Sequence, residues 1–287
     1  MDADAQPCHK CVSSVTACVI LAVTFVASLY VWNSPHHRNH PSVIKRRFLS
    51  VAIMMIVSPM LTWLFLHEST LQKNTLFEVL GLRLAGLFQA LVFPLILTMI
   101  LFLGPMTDLG FRGVKSLFSG TTHTESQVFI WSRNYFVAPL GEEVTFRACM
   151  LPLLLDCFEP LKAVFICPLF FGTAHFNHLA ERVYAGVEFK HAFLISFFQF
   201  LYTTVFGAYS AYLFVRTGHF MPSFLAHVFC NIMGLADIAE ILKFPEPRRT
   251  ITAINFVVGF CLWCYLLVPM TNPSLYSNNL FWSSKLS

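Results

Sequence analysis

Long apolar runs separated by short polar connections dominate the first half of this chain. The runs cover residues 12–32, 48–66 and 82–103. A run of about 20 apolar residues is long enough to cross the hydrocarbon core of a bilayer as an α-helix. The pattern therefore predicts three membrane-spanning helices, the third of them kinked at Pro94. The connection at 104–124 is the longest and has room for an interfacial segment.

The second half contains shorter apolar runs that include polar residues. They cover residues 127–140, 144–157, 161–176, 191–215, 221–236 and 252–270. Only the fourth and sixth have ordinary spanning length, and the others favour partial or tilted helices that line a cavity inside the protein. The whole pattern predicts an all-α, polytopic membrane protein. We expect about eight transmembrane helices, some of them lining a cavity, in one membrane-embedded domain that covers residues 1–287.

Composition supports a membrane protein and argues against a nucleic-acid-binding one. Hydrophobic residues make up 56% of the chain and charged residues 12%, against roughly 25% charged in a typical soluble domain. The net charge of +4 is modest and forms no dense basic face. Basic residues cluster at 36–47, between the first two runs. The positive-inside tendency then predicts a cytosolic connection and a lumenal N-terminus.

Two adjacent glutamates stand out because a charge at the bilayer centre costs about 2.5–3.5 kcal/mol. On a helix, Glu143 and Arg147 are four residues apart and share a face, so we predict that they form an ion pair. Glu142 is rotated by about 100° from Glu143 and points elsewhere. A free carboxylate can take a proton from water and give one to a leaving amine. The alternative is that all three residues form a structural salt-bridge cluster.

Three further polar clusters interrupt the second half. His175 follows small residues and, considered alone, is more typical of a structural histidine than of a catalytic one. His227 and Asn231 are four residues apart on one helical face, and both can donate hydrogen bonds to an oxyanion. An interhelical hydrogen-bonding pair is the alternative for them. Gln199 is the remaining polar interruption that the pattern singles out.

Other chemistries also fit these residue types. Cys149 lies seven residues after Glu142 and is a weak candidate nucleophile. A zinc site could be built from Glu142, His175 and His227, whereas Cys8 and Cys11 resemble half of a zinc site that has no matching second pair. A non-enzymatic scaffold or a transporter is a third alternative. Transporters often have two halves with matching interruptions, and this chain does not show them.

The three polar clusters together resemble a known pattern. Glu-Glu-x-x-x-Arg occurs at 142–147, Phe-x-x-x-His at 171–175 and His-x-x-x-Asn at 227–231. Order and spacing are similar to those of the type II CAAX endopeptidase family, in particular its eukaryotic branch. The resemblance extends over about residues 127–236, which hold all the expected catalytic motifs. Residues 1–126 contribute no motif to it.

The resemblance implies a glutamate-dependent intramembrane endopeptidase of the endoplasmic reticulum membrane, with a conical chamber open to the cytosol. Its partners would be the lipid bilayer and the C-termini of CAAX proteins that already carry a farnesyl or geranylgeranyl group. It would remove the last three residues of these proteins without a cofactor or a metal.

The resemblance also implies roles for individual residues. Glu142 and His175 would activate the attacking water. His227 and Asn231 would form the oxyanion hole. The supporting residues would be Glu143 and Arg147.

Overall fold

The computed structural model describes residues 5–32, 34–113, 124–235 and 238–282, with the backbone alone described for residues 5–10 and 238. Every regular element in these ranges is a helix, which confirms the all-α class. The predicted half zinc site includes Cys8, whose side chain lies outside the described part. The middle of the expected 104–124 connection is likewise outside it.

The helices follow one another along the chain with short connections. They are α1 (Ala5–Ser28), α2 (Pro41–Phe65), α3 (Glu68–Lys73), α4 (Leu76–Val79), α5 (Leu87–Leu101), α6 (Leu103–Arg112), α7 (Glu125–Ser132), α8 (Ala138–Glu143), α9 (Met150–Leu155), α10 (Pro160–Ala174), α11 (Asn177–Tyr184), α12 (Phe189–Thr217), α13 (Phe220–Met233), α14 (Ile238–Ile241) and α15 (Arg248–Met270). Two π-helical stretches, π1 (Arg133–Val137) and π2 (Val144–Cys149), join α7, α8 and α9. A 3₁₀ helix covers Pro273–Tyr276.

Several of these helices can cross a membrane, so the chain is a multi-pass membrane protein. Within the described ranges, five helical segments are long and apolar enough, and the bent pair α5–α6 would make a sixth. The expected count of about eight is not confirmed. Part of the difference arises because the runs 127–140 and 144–157 belong to one uninterrupted helical segment, residues 125–155.

The third apolar run bends at a different place from the one predicted. Helix α5 continues through Pro94, and the 77° bend between α5 and α6 lies at Phe102. Helix α15 packs against both arms of the bend. Gly104 lies under the ring of Phe256, and Gly259 leaves room for the backbone of α5. The bend therefore depends on tertiary packing at small residues rather than on the local effect of proline.

The N-terminal helices form a wall around the segment 125–155. Helix α1 packs against α9, and α2 packs against π2. Phe25 of α1 meets Phe146 edge-to-face at 5.7 Å, and Phe146 meets Phe171 of α10 in the same way at 5.2 Å. Gly141 leaves space for Val51 of α2, because a Cβ there would lie 2.8 Å from it. Two helices of the half without motifs thus pack against the segment that holds the glutamates.

Helices α10 and α12 pack closely through glycines. A Cβ on Gly172 would collide with Thr204 and lie 3.0 Å from the ring of Phe200. A Cβ on Gly207 would lie 2.9 Å from Pro168 and 3.1 Å from Arg147 Nη2. Close approach of this kind requires small residues at the contact. It brings His175, at the end of α10, next to the polar residues of the neighbouring helices.

We expect Gly172→Ala to destabilise the protein by about 1–3 kcal/mol, because the added methyl group overpacks the α10–α12 contact. Thermal unfolding in detergent micelles measures the change. Gly110→Ala is the matched control, since a Cβ at Gly110 of α6 meets nothing within 4 Å. Equal unfolding temperatures for the two variants would contradict this packing account.

Candidate active site

Glu143 is fully buried and accepts hydrogen bonds from three side chains. Arg147 Nη1 lies 3.0 Å from its Oε1, which confirms the predicted ion pair. His227 Nδ1 lies 2.7 Å from the same oxygen. Ser210 Oγ donates to Oε2 at 2.7 Å. A buried carboxylate is costly unless it is paired and hydrogen-bonded, and here both of its oxygens are satisfied.

Arg147 is fully buried and stacks on aromatic rings. Its Cζ lies 4.2 Å from the ring centroid of Phe171 and 5.8 Å from that of Phe206. Its Nε and Nη2 have no hydrogen-bond partner among the described atoms. Aromatic faces attract a guanidinium, and the attraction is stronger away from water. The two rings therefore help to hold the buried Arg147 in position to pair with Glu143.

His227 lies between the two adjacent glutamates. Its Nδ1 donates to Glu143, and its Nε2 lies 3.7 Å from Oε2 of Glu142. Because an ionised Glu143 can only accept, it keeps a proton on Nδ1. Nε2 is then the nitrogen directed toward the second glutamate. A carboxylate behind an imidazole is a common way to fix the orientation and tautomer of a histidine.

Glu142 differs from Glu143 in its surroundings. Its side chain is 21% exposed, and it lines a cavity of about 170 Å³. His175 lines the same cavity. The Nδ1 of His175 lies 2.8 Å from the backbone carbonyl oxygen of Phe171, which can only accept a hydrogen bond. The proton is therefore on Nδ1, and Nε2 of His175 has a free lone pair.

Asn231 occupies a less central place than the sequence suggests. It lies one turn after His227 on α13, is exposed, and is not among the residues that line the cavity. Its Nδ2 donates to the backbone carbonyl oxygen of Asn134, which is a cavity residue, at 3.0 Å. An amide nitrogen has two hydrogens, so one remains available. The structure thus connects Asn231 to the edge of the cavity through Asn134.

The remaining polar candidates have other surroundings. Gln199 accepts a hydrogen bond from Arg182 Nη2 at 2.7 Å. Cys149 is fully buried in the hydrophobic core, where its carbonyl oxygen accepts from Thr62, and it does not line the cavity. Within the described side chains, no group of three or more His, Cys, Asp or Glu has a geometry that could hold a metal ion.

Sequence reasoning missed several residues of the site. Ser210 lies 67 positions after Glu143, and no local spacing rule connects residues so far apart. For the same reason, the sequence identifies His227 as a candidate but not its contact with Glu143, which lies 84 positions earlier. Arg38, Arg47 and Arg133 also line the cavity. The sequence pattern of the first two is typical of ordinary cytosolic basic residues, and nothing in the pattern distinguishes the third.

A comparison with family models identifies the class of protein. The family described as "Type II CAAX prenyl endopeptidase Rce1-like" matches residues 124–233. This range contains both glutamates, His175, His227 and Asn231. The class is thus one of peptide hydrolases.

Curated relatives extend the match over nearly the whole chain. CAAX prenyl protease 2 of Homo sapiens is 44% identical over 278 residues, which cover 93% of this chain and 84% of the human protein. The proteins of the same name from Rattus norvegicus and Arabidopsis thaliana are 38% and 33% identical, over 93% of this chain and 83% and 92% of their own lengths. This chain belongs to the type II CAAX prenyl endopeptidase family. No solved structure matches it.

The two glutamates should respond differently to substitution. We expect Glu143→Ala to cost about 3–5 kcal/mol of stability, because it leaves Arg147 buried without its partner. Glu142→Ala, at a partly exposed position, should cost less than about 1 kcal/mol. Thermal unfolding of the purified variants in one detergent compares them. Similar losses would indicate one structural cluster instead of two separate environments.

Substitution of Ser210, which donates a hydrogen bond to Glu143, tests whether Glu143 is ionised. Bonds to charged groups contribute about 1.5–3 kcal/mol, and neutral ones about 0.5–1.5 kcal/mol. We therefore expect Ser210→Ala to destabilise the protein more than Ser223→Ala. Ser223 is a matched control because it is also buried, but donates to a backbone carbonyl oxygen at 2.8 Å. Denaturation midpoints that fall equally would contradict an ionised Glu143.

Proposed function

We propose that this endopeptidase removes the C-terminal tripeptide from farnesylated or geranylgeranylated CAAX proteins, using a water molecule activated by Glu142 and His175. One observation supports the assignment above all. Glu142 and His175 line the same cavity, whereas Glu143 is fully buried and engaged by three partners. The names of the relatives, CAAX prenyl protease 2, support the substrate class.

The proposed reaction begins with water held between Glu142 and His175. Glu142 takes a proton as the water oxygen attacks the carbonyl carbon of the prenylated cysteine, and the Nε2 lone pair of His175 accepts a hydrogen bond from the water. The carbonyl oxygen then becomes an oxyanion. When this intermediate collapses, the carbon–nitrogen bond breaks, and Glu142 returns its proton to the leaving amine.

The oxyanion would receive hydrogen bonds from α13. In this proposal, Nε2 of His227 and the second amide hydrogen of Asn231 donate to it. His227 must then carry a hydrogen on each nitrogen, and Glu143 Oε1, 2.7 Å from Nδ1, accepts one of them. Each oxyanion donor is worth about 2.7–4 kcal/mol of transition-state stabilisation. Glu143 and Arg147 act by positioning His227.

The membrane setting suits a prenylated substrate. Each CH₂ group of the prenyl chain that enters lipid contributes about 0.8 kcal/mol to membrane binding. An enzyme that receives lipid and peptide together therefore benefits from lying in the bilayer. We place the enzyme in the endoplasmic reticulum membrane. Arg38 and Arg47 line the cavity, and both lie in the basic stretch 36–47 that the positive-inside tendency assigns to the cytosol, which supports a cytosolic opening.

We expect Glu142→Gln and His175→Gln each to lower kcat for a farnesylated CAAX peptide by at least about 100-fold, since proton transfer contributes about 10²–10⁴-fold. Unfolding temperatures should stay near that of the wild type. Glu125→Gln is the control, because Glu125 is exposed, forms an ion pair with Lys45 at 3.0 Å and is not among the residues that line the cavity. Full activity of Glu142→Gln would exclude the mechanism. An unprenylated peptide should be cleaved far more slowly by every active variant.

A further inference from the structure

Three arginines from separate parts of the chain line the cavity that contains Glu142 and His175. Arg38 belongs to the connection before α2, Arg47 to α2 itself, and Arg133 to the start of π1. The positive-inside tendency explains basic residues in a cytosolic connection. It does not explain guanidinium groups that converge on one cavity from three elements.

The positive charge of this group is only partly compensated. Glu181 Oε2 lies 3.0 Å from Arg38 Nη1, and Glu181 Oε1 lies 3.2 Å from Arg47 Nη2. Tyr30 and His178 also donate to Glu181. One carboxylate therefore serves two guanidinium groups as well as two further donors.

Arg133 adds a charge that no described carboxylate within ion-pair distance balances. Its Nη1 donates to the backbone carbonyl oxygen of Arg38 at 3.2 Å and to Asn39 Oδ1 at 3.0 Å, and its Nε donates to Asn134 Oδ1 at 3.0 Å. All three acceptors are neutral. They hold the guanidinium in place while leaving its charge available to an anion.

Arg47 has an unused donor inside the protein. Its side chain is 17% exposed, and its Nε is buried without a hydrogen-bond partner among the described atoms. A buried donor without a partner costs free energy unless a ligand or water satisfies it. Planar guanidinium groups match carboxylates especially well, because they can form two parallel hydrogen bonds.

A second cavity meets the first at these residues. It has a volume of about 440 Å³, and both cavities share Leu29, Tyr30, Arg38 and Arg47 in their walls. The first cavity is otherwise largely apolar next to Glu142, with Phe25 among its lining residues. Apolar walls suit the aliphatic residues of a CAAX tripeptide, and a basic group at the junction suits its charged end.

We propose that Arg47 and Arg133, assisted by Arg38, bind the α-carboxylate of the substrate's last residue and so set the length of the peptide that is released. This inference rests on the proposed function. An extended chain rises about 3.3 Å per residue, so the carboxylate of a tripeptide lies roughly 10 Å beyond the cleaved bond. A fixed distance between the carboxylate site and Glu142 would then select the bond three residues from the C-terminus.

The first experiment compares two farnesylated CAAX peptides of identical sequence, one with a free C-terminal carboxylate and one with a C-terminal amide. Wild-type enzyme in phosphatidylcholine vesicles should cleave the amide with a kcat/KM at least about tenfold lower, because a charge-assisted interaction is lost. A third peptide with one additional C-terminal residue should also be cleaved poorly. Equal cleavage of acid and amide by the wild type would overturn the inference.

Variants then connect this preference to the arginines. In Arg47→Gln and Arg133→Gln, the acid-to-amide ratio should fall to less than about threefold, mainly because the acid is cleaved more slowly. Arg249→Gln is the control and should keep the wild-type ratio, since Arg249 is half-exposed and pairs with Glu246 in another part of the protein. A ratio measured within one preparation does not depend on how much of the variant is folded.

The outcomes separate the possible explanations. If the wild type cleaves none of the peptides, the proposed function fails. If it cleaves acid and amide equally, or if the arginine variants keep the wild-type ratio, only the carboxylate site fails. Vesicles with added phosphatidylserine complete the test. If the cleavage rates of the variants change with the phosphatidylserine content and do not depend on the peptide's carboxylate, the arginines act at the membrane surface. That result would overturn the inference.

Discussion

The free-energy cost of a carboxylate buried away from water is the constraint on which this site depends. Glu143 can be ionised in the interior only because α12 contributes Ser210, α13 contributes His227 and its own helical segment contributes Arg147. Three elements must therefore be in place around one side chain. The packing of these helices around Glu143 therefore also fixes the orientation of His227. Because Glu142 directly precedes Glu143 in the chain, the same packing also determines how closely Glu142 approaches His227.

Much of the site follows from helical periodicity. The 3.6-residue repeat correctly pairs Glu143 with Arg147 and separates Glu142 from both, because these relations are local. The all-α class follows from apolar run lengths. By contrast, the bend at Phe102 and the approach of Ser210 to Glu143 depend on helices distant in sequence. Spacing within one segment contains no information about such contacts.

The sequence of the first half of the chain likewise does not predict what its helices do. Hydropathy predicts its spanning helices but gives no reason for their presence. In the structure, α1 and α2 supply aromatic and aliphatic walls around the segment 125–155, and Arg47 of α2 reaches the cavity. A motif search finds the residues proposed for chemistry, whereas the residues that shape the space around them have only the composition of an ordinary membrane helix. Arg47 likewise escapes notice, because the positive-inside tendency already explains a basic residue at that place in the sequence.

The π-helical stretch Val144–Cys149 directly follows the glutamate pair. A π-helix places one more residue in each hydrogen-bonded turn than an α-helix, and such turns are often found at functional sites. Here the stretch determines how the core residues Met150 and Leu151 are rotated about the helix axis relative to Glu143. Removing a single residue from it would rotate one set by about 100° relative to the other. The number of residues in this stretch therefore matters in addition to their identity, since even a deletion that spared Arg147 would change how the helix presents the glutamates relative to the core.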